Sequence, residues 1–211
     1  MEYWESRFKS EGVMWKFEPA DSALIVLKIF QDAGLHRILI PGMGYGRNAR
    51  IFRDNGFEVT GIEISVSAIQ LARESGLSFK MYCGSVTQMP FDNDLYDGIF
   101  CYALIHLLNK AERKNFLINC YNQLKFGGIM IFTVASTDMS LYGSGKKLSE
   151  NRFRISKGLE VYFYDNKAVE KEFSGVGLTE YRDIAEPVKF MENQEPILMK
   201  LVICHKHTDK C

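Results

Sequence analysis

Three glycines at alternate positions break an apolar run in Ile38-Leu39-Ile40-Pro41-Gly42-Met43-Gly44-Tyr45-Gly46-Arg47. Glycine turns sharply and lets a ligand approach the main chain, and a helix starting beside it offers free N–H groups and the positive end of its dipole. Glu63 stands about 20 residues further on, at the end of the next apolar segment, where an acid can accept both hydroxyls of a ribose. A glycine triplet alone also serves a bare tight turn; with Glu63 it points to a nucleotide-like cofactor. The dinucleotide fingerprint GxGxxG demands a third glycine where Arg47 stands, so GxGxG points away from a nicotinamide cofactor.

Cys101, Tyr102 and His106 follow another apolar segment. His106 has two readings: a general base that takes a proton from a substrate, or the first turn of a helix packed on a sheet, which Ile105-His106-Leu107-Leu108 spells equally well. Cys101 reads as a small core residue. Tyr3, Trp4, Phe8, Trp15 and Phe17 share a segment with Gly12 and mixed charge rather than a regular helical spacing. That arrangement favours a lid in which Trp4 and Trp15 cover ligand and substrate, over simple apolar cover for a sheet. Lys146, Lys147 and Arg152 read as a solvated face rather than an anion site.

The elements that must position these residues alternate along the chain. A helical pattern after Pro19-Ala20-Asp21-Ser22 stops at Gly34, and a strand follows over 37–41. A short helix runs from Arg47 to Asn55-Gly56, then a strand over 57–63, a helix capped by Ser65 or Ser67 that closes at Gly76, and a strand over 78–83. Strand 97–102, a helix from Asn109 to Leu124 and strand 129–134 complete the alternation. Apolar strands alternating with helices predict a doubly wound, Rossmann-like α/β sheet, mostly parallel and covered on both faces. Residues 136–165 are polar and glycine-bearing at first, which predicts an excursion on the substrate side rather than core. A helix near 166–175 then leads to strands 178–187 and 196–206 around the turn Met191-Glu192-Asn193-Gln194, a terminal antiparallel hairpin and so seven strands in all.

The 211 residues suit one large domain, with 1–36 as lid and entry helices, 37–135 as the cofactor-binding core and 166–206 as the closing helix and hairpin. Lys plus Arg and Asp plus Glu both number 26, so no basic field draws the chain to nucleic acid or anionic lipid. Met1-Glu2-Tyr3-Trp4-Glu5 lacks the basic-then-apolar order of a signal peptide, and no apolar run approaches the ~20 residues of a membrane span. A cytoplasmic protein is expected. The five cysteines are scattered without a CxxC pair, which reads as reduced thiols and neither a disulfide frame nor a metal site.

With these residues in place, the chain from about Ile38 to Val202 resembles the class I S-adenosylmethionine-dependent methyltransferases. Gly42, Met43, Gly44, Gly46 and Arg47 match their nucleotide loop, Glu63 and the adjacent Ile64 their ribose-binding strand end, and Gly84-Ser85-Val86 the segment that contacts adenine. Met89-Pro90-Phe91-Asp92-Asn93-Asp94-Leu95-Tyr96-Asp97 resembles the lead-in to the family's fourth strand, and Leu124-Lys125-Phe126-Gly127-Gly128 the turn before its fifth. The acid that the family carries two residues before the first glycine is Ile40 here, and Ser85 replaces its usual aspartate. The missing acid and the N-terminal YWESRFKSEGVMWKFEP are similar to the thiopurine, halide or thiol and tellurite-resistance branch. The resemblance implies S-adenosyl-L-methionine as cofactor, with Tyr102 beside it, and direct SN2 transfer of its methyl group to a small-molecule acceptor. Tyr102 stands where nucleobase amino-methyltransferases carry an Asn/Asp-Pro-Pro-aromatic motif, and no such motif is present. A cofactor-binding protein without transferase activity and a nicotinamide-dependent oxidoreductase remain as alternatives.

Overall fold

The computed structural model describes residues 2–155, 159–189 and 194–207; Gly158, Cys211 and Met191, Glu192 and Asn193 of the expected hairpin turn lie outside them. Helices α1 (Glu2–Glu11) and α2 (Asp21–Asp32) precede β1 (Arg37–Pro41), α3 (Arg47–Asp54), β2 (Glu58–Glu63), α4 (Val66–Glu74), β3 (Lys80–Cys83) and β4 (Tyr96–Tyr102). Helix α5 (Lys110–Gln123), β5 (Leu124–Ala135), the short strands β6 (Lys146–Ser149), β7 (Arg152–Arg154) and β8 (Glu160–Tyr162), α6 (Asn166–Phe173), β9 (Leu178–Glu186) and β10 (Ile197–His205) follow.

Seven strands form one sheet in the order β3-β2-β1-β4-β5-β10-β9. The five from β3 to β5 run parallel, and β10 and β9 are antiparallel to their neighbours. The order reverses between β1 and β4, so their carboxyl ends open a crevice of the kind that holds ligands in doubly wound folds. Alternation along β4 sends Phe100 and Tyr102 toward α2 and α3, and Ile99 and Cys101 toward α5. Two apolar layers result, one under α2, α3 and α4, the other under α5 and α6. Each buried Phe, Leu or Ile in them contributes about 1.5–3 kcal/mol relative to exposure.

Caps explain most boundaries. Ser65 accepts the Ala68 N–H at the start of α4, and Asn109 and Glu112 close a capping box on α5. Strand β5 begins at Leu124, earlier than the apolar run suggests, because Leu124 already pairs with Tyr96 before the register shifts. Two expectations change. Segment 2–11 is a helix, as entry helices within 1–36 implied, but its aromatics do have helical spacing, because Trp4 and Phe8, four residues apart, share one face. The excursion is a second, three-stranded sheet, β6-β7-β8, with a small core of its own built from Ala135, Phe153, Val161 and Phe163. No helix among the described residues is long and apolar enough to cross a membrane.

Candidate active site

Parallel pairing brings the two main chemical features together. Pro41 lies opposite Ile62, and the Gly42 and Met43 amides both donate to the Ile62 carbonyl, at 2.8 and 3.1 Å. The glycine loop therefore wraps the end of β2, where the Glu63 carboxylate accepts the Gly44 amide at 2.8 Å on one oxygen and the Ser65 amide at 2.9 Å on the other. Glu63 is only 6% exposed, and burial raises its pKa, opposed by the Ser65, Gly44 and Ile64 amides and assisted by the nearby negative Glu5. An ionised carboxylate has about four lone-pair positions. Those left over fit a vicinal diol.

The loop glycines are not equivalent. All three have positive φ, at 69°, 58° and 81° for Gly42, Gly44 and Gly46. A Cβ on Gly42 would stand 2.8 Å from the Leu104 side chain, and one on Gly46 only 2.3 Å from Leu77. Gly44 is the open one, with only the Phe8 ring at 3.7 Å. Two of the glycines thus admit the protein's own side chains, and the face of Gly44 beside Glu63 is the one left open to a ligand. Met43 turns its side chain inward, against Gly61 on β2, so it offers the site only its backbone.

On the β3 side, Ser85 caps the short 3₁₀ turn Val86–Gln88 by accepting the Thr87 amide, and its hydroxyl lies 2.8 Å from that of Thr87. Val86 is buried, Ile64 half-buried, and Phe91, stacked on Tyr82, covers Gly84. On the β4 side, the Arg47 guanidinium rests over the Tyr102 ring at 5.5 Å and donates weakly to its hydroxyl at 3.4 Å. Burial pushes the Tyr102 phenol up to about 12 and the Cys101 thiol likewise to about 12, so both keep their protons at neutral pH.

His106 sits in the 3₁₀ turn Ile105–Leu107, buried, and its Nδ1 accepts the Ala135 amide at 3.2 Å. Burial drives its pKa down to about 4. The hydrogen-bond network assigns the remaining proton to Nε2, so the ring can donate a hydrogen bond but has no lone pair for a substrate proton. Of the two readings of His106, this arrangement favours the packed turn, since a general base would first have to give up the Ala135 amide.

The N-terminal aromatics meet the glycine loop rather than the open sheet. Trp4, Phe8 and Trp15 cluster with Tyr45 and Ala68, and Trp15 stacks on Tyr45 with ring centroids 6.2 Å apart. Glu5 and Tyr45, which the sequence did not single out, make the polar contacts of this cover. Their signal is slight: an acid one residue past Trp4, and a bulky ring inside a glycine motif.

Residues 39–132 match the family described as a methyltransferase domain. Over 79% of this chain, 23% of residues are identical to the tRNA N(3)-methylcytidine methyltransferase Mettl2 of Drosophila melanogaster, of which 54% is covered. Over 85%, 24% are identical to a glycine/sarcosine N-methyltransferase of Aphanothece halophytica, 63% covered. The chain thus spans about half to two thirds of the length of these relatives. Among solved structures, the 1,6-didemethyltoxoflavin-N1-methyltransferase of Burkholderia thailandensis superposes with a TM-score of 0.69 at 15% identity, over 98% of this chain and 84% of its own. TehB of Haemophilus influenzae gives 0.66 at 16%, over 97% and 66%. Sheet order, glycine loop and matched segment agree in their likeness: residues 39–132 are similar to a methyltransferase domain, and the fold is that of S-adenosylmethionine-dependent methyltransferases.

Proposed function

We propose that this protein binds S-adenosyl-L-methionine at the carboxyl ends of β1, β2 and β4 and transfers its methyl group directly to a small-molecule acceptor. The observation that carries this reading is the Glu63 carboxylate, fixed by the Gly44 and Ser65 amides with acceptor capacity to spare beside the one open glycine. Glu63 would hold the ribose diol, Ile64 and Val86 would flank the adenine, Ser85 would face its edge, and the loop amides with Arg47 and Tyr102 would hold the methionine end. Arg47 would supply a cation for the methionine carboxylate, while the ammonium that the acid missing at Ile40 would have held needs another acceptor. The bound cofactor brings an electrophilic sulfonium methyl, so the chain's task is alignment and the exclusion of water.

The titratable groups around the end of β4 support an acceptor that is nucleophilic without help. Cys101 and Tyr102 are protonated at neutral pH and the Nδ1 of His106 is occupied. A thiol that ionises near neutrality, or a neutral amine, meets that condition. Trp4 and Trp15 on one side and β6–β8 on the other would enclose it, within one domain working in the cytoplasm. The relatives above act on tRNA in one case and on glycine and sarcosine in another; zero formal charge favours the small acceptor here.

Release of S-adenosylhomocysteine from S-adenosylmethionine, measured against small thiols, halides, amines and carboxylates beside tRNA and cell-extract protein, tests the proposal. Saturable turnover with a small acceptor is expected. Methylation of a macromolecule with none of any small acceptor would overturn it, and calorimetry showing NADH bound in place of S-adenosylhomocysteine would overturn the cofactor.

A further inference from the structure

Tyr45, between the second and third glycines, is 1% exposed although it belongs to a loop at the sheet edge. Its ring stacks on Trp15 and meets Phe8 and Phe17 edge-on. The hydroxyl donates to the Lys16 carbonyl at 2.6 Å and accepts the Trp15 amide at 3.0 Å. Lys16 itself has φ of 52°, a left-handed conformation that a residue other than glycine adopts only when its surroundings hold it there. One end of the N-terminal segment is thus pinned to the glycine loop. The other is pinned to α4, where the Glu5 carboxylate accepts both the hydroxyl and the amide of Ser67, at 2.7 and 3.2 Å, and the Ser65 hydroxyl at 2.6 Å. Ser65 in turn donates its amide to Glu63, and Glu63 accepts the amide of Gly44, the neighbour of Tyr45. The contacts close a ring: Glu5, Ser65, Glu63, Gly44, Tyr45, Lys16, and back along segment 5–16.

We infer that Tyr45 and Glu5 are positioning residues that make the N-terminal segment and the Glu63 loop one unit, so that cofactor affinity and residence time depend on hydrogen bonds that never touch the cofactor. This rests on the assignment of the cofactor site to Glu63 and the glycine loop. Neither member can move alone without breaking the ring, and opening segment 5–16 frees the loop whose amide orients Glu63.

The readout is built into the sequence, because Trp4 and Trp15 are the two tryptophans of the chain and both lie in this segment. Tyr45→Phe keeps the stacking and deletes two hydrogen bonds; Glu5→Gln keeps the shape and deletes the charge. For each, stopped-flow tryptophan fluorescence and calorimetry with S-adenosylhomocysteine should show the dissociation constant raised roughly 5- to 30-fold, mostly through faster release. Amides of residues 5–16 should exchange faster without ligand. Tyr181→Phe on β9 deletes another hydroxyl bond, to Glu170 of α6 at 2.7 Å, and should leave binding unchanged. Wild-type protein that fails to bind S-adenosylhomocysteine overturns the cofactor assignment. Wild-type binding with unchanged affinity and release in both Tyr45→Phe and Glu5→Gln overturns the coupling alone, and should Tyr45→Phe not fold, Glu5→Gln decides.

Discussion

Gly44 and Gly46 look alike in the sequence, both positive in φ, yet they answer to different neighbours. Gly46→Ala drives a methyl into Leu77 and should lower the melting temperature by several degrees, with cofactor affinity affected only through folding. Gly44→Val places its Cβ in ordinary contact with the Phe8 ring alone, at 3.7 Å, so beyond the strain of a β-branched residue at positive φ its bulk lies beside Glu63, and binding should be lost in a protein that still melts cooperatively. Glu63→Ala should weaken S-adenosylhomocysteine binding by about 1.5–3 kcal/mol, the cost of a lost charged hydrogen bond; an unchanged dissociation constant by calorimetry would remove Glu63 from the site. His106 separates structure from catalysis. A general base contributes about 10²–10⁴ in rate, so His106→Gln should cost less than about tenfold in turnover if the ring is only a donor. Its folded pKa lies near 4 and its unfolded pKa near 6.5, so the unfolded chain binds the extra proton between those values and stability falls as pH drops through that window. The loss should be of order 2 kcal/mol by pH 5, read as a shift in urea midpoint between pH 7 and pH 5 that His106→Gln abolishes. A shift of the same size in the variant would mean that other groups carry it.

In the proposed function the seven-stranded sheet serves the cofactor and the three-stranded sheet the acceptor. Strand β7 is tied back to the end of β4 by Arg152, which donates to the Leu108 carbonyl at 2.7 Å, where Arg113 also donates, and its packing rests on Phe153 and Phe163. Phe163→Ala should leave a cavity worth up to about 3–5 kcal/mol to a local unit. Amide exchange in 146–155 and 159–162 should rise while S-adenosylhomocysteine affinity stays within about twofold, because among the described residues the hydrogen bonds of Glu63 and the glycine loop are made outside that sheet. Matched loss of affinity would mean that the two sheets are one cooperative unit. These elements also mark what was legible in the sequence. Strand Arg37–Pro41 and the hairpin of β9 and β10 stand within a residue or so of expectation: β1 and β10 are largely apolar runs that leave little choice, and β9, though mostly polar, carries Leu178, Tyr181 and Ile184 before the turn. The strands of β6–β8 are three or four residues long and rich in Lys, Arg and Glu, so their pattern has no length in which to show. Helix α1 hides for another reason. Its face is completed by Trp15, beyond Gly12, and by Tyr45, so the periodicity exists only in the folded chain. The bonds of Tyr45 to Lys16 and of Glu5 to Ser65 span 29 and 60 residues, distances over which no local pattern speaks.

For the molecule as a whole, charge is the property that bears on the acceptor. Equal numbers of acids and bases, 26 each, leave no net charge. Several cations in the folded chain already have carboxylate partners: Arg37 with Glu58 and Asp94, Arg113 with Glu172, Arg152 and Arg154 with Glu160, and Lys189 with Glu18 and Asp21. A protein that docks on tRNA through 6–10 phosphates loses about 10³–10⁵ in affinity between 50 and 200 mM salt, because each neutralised phosphate releases counterion. An enclosed uncharged or singly charged acceptor has no such atmosphere to shed. Turnover with the preferred small acceptor should therefore change by less than about threefold across that salt range, measured at subsaturating acceptor so that binding is visible in the rate. The similarity to a tRNA methyltransferase over most of the chain makes the opposite outcome a definite rival. A tRNA substrate whose methylation collapses steeply with salt, together with salt-independent binding of S-adenosylhomocysteine, would place phosphate contacts at the acceptor side. In that event β6–β8, with Lys146 and Lys147 exposed along its edge, would be a docking platform instead of a wall.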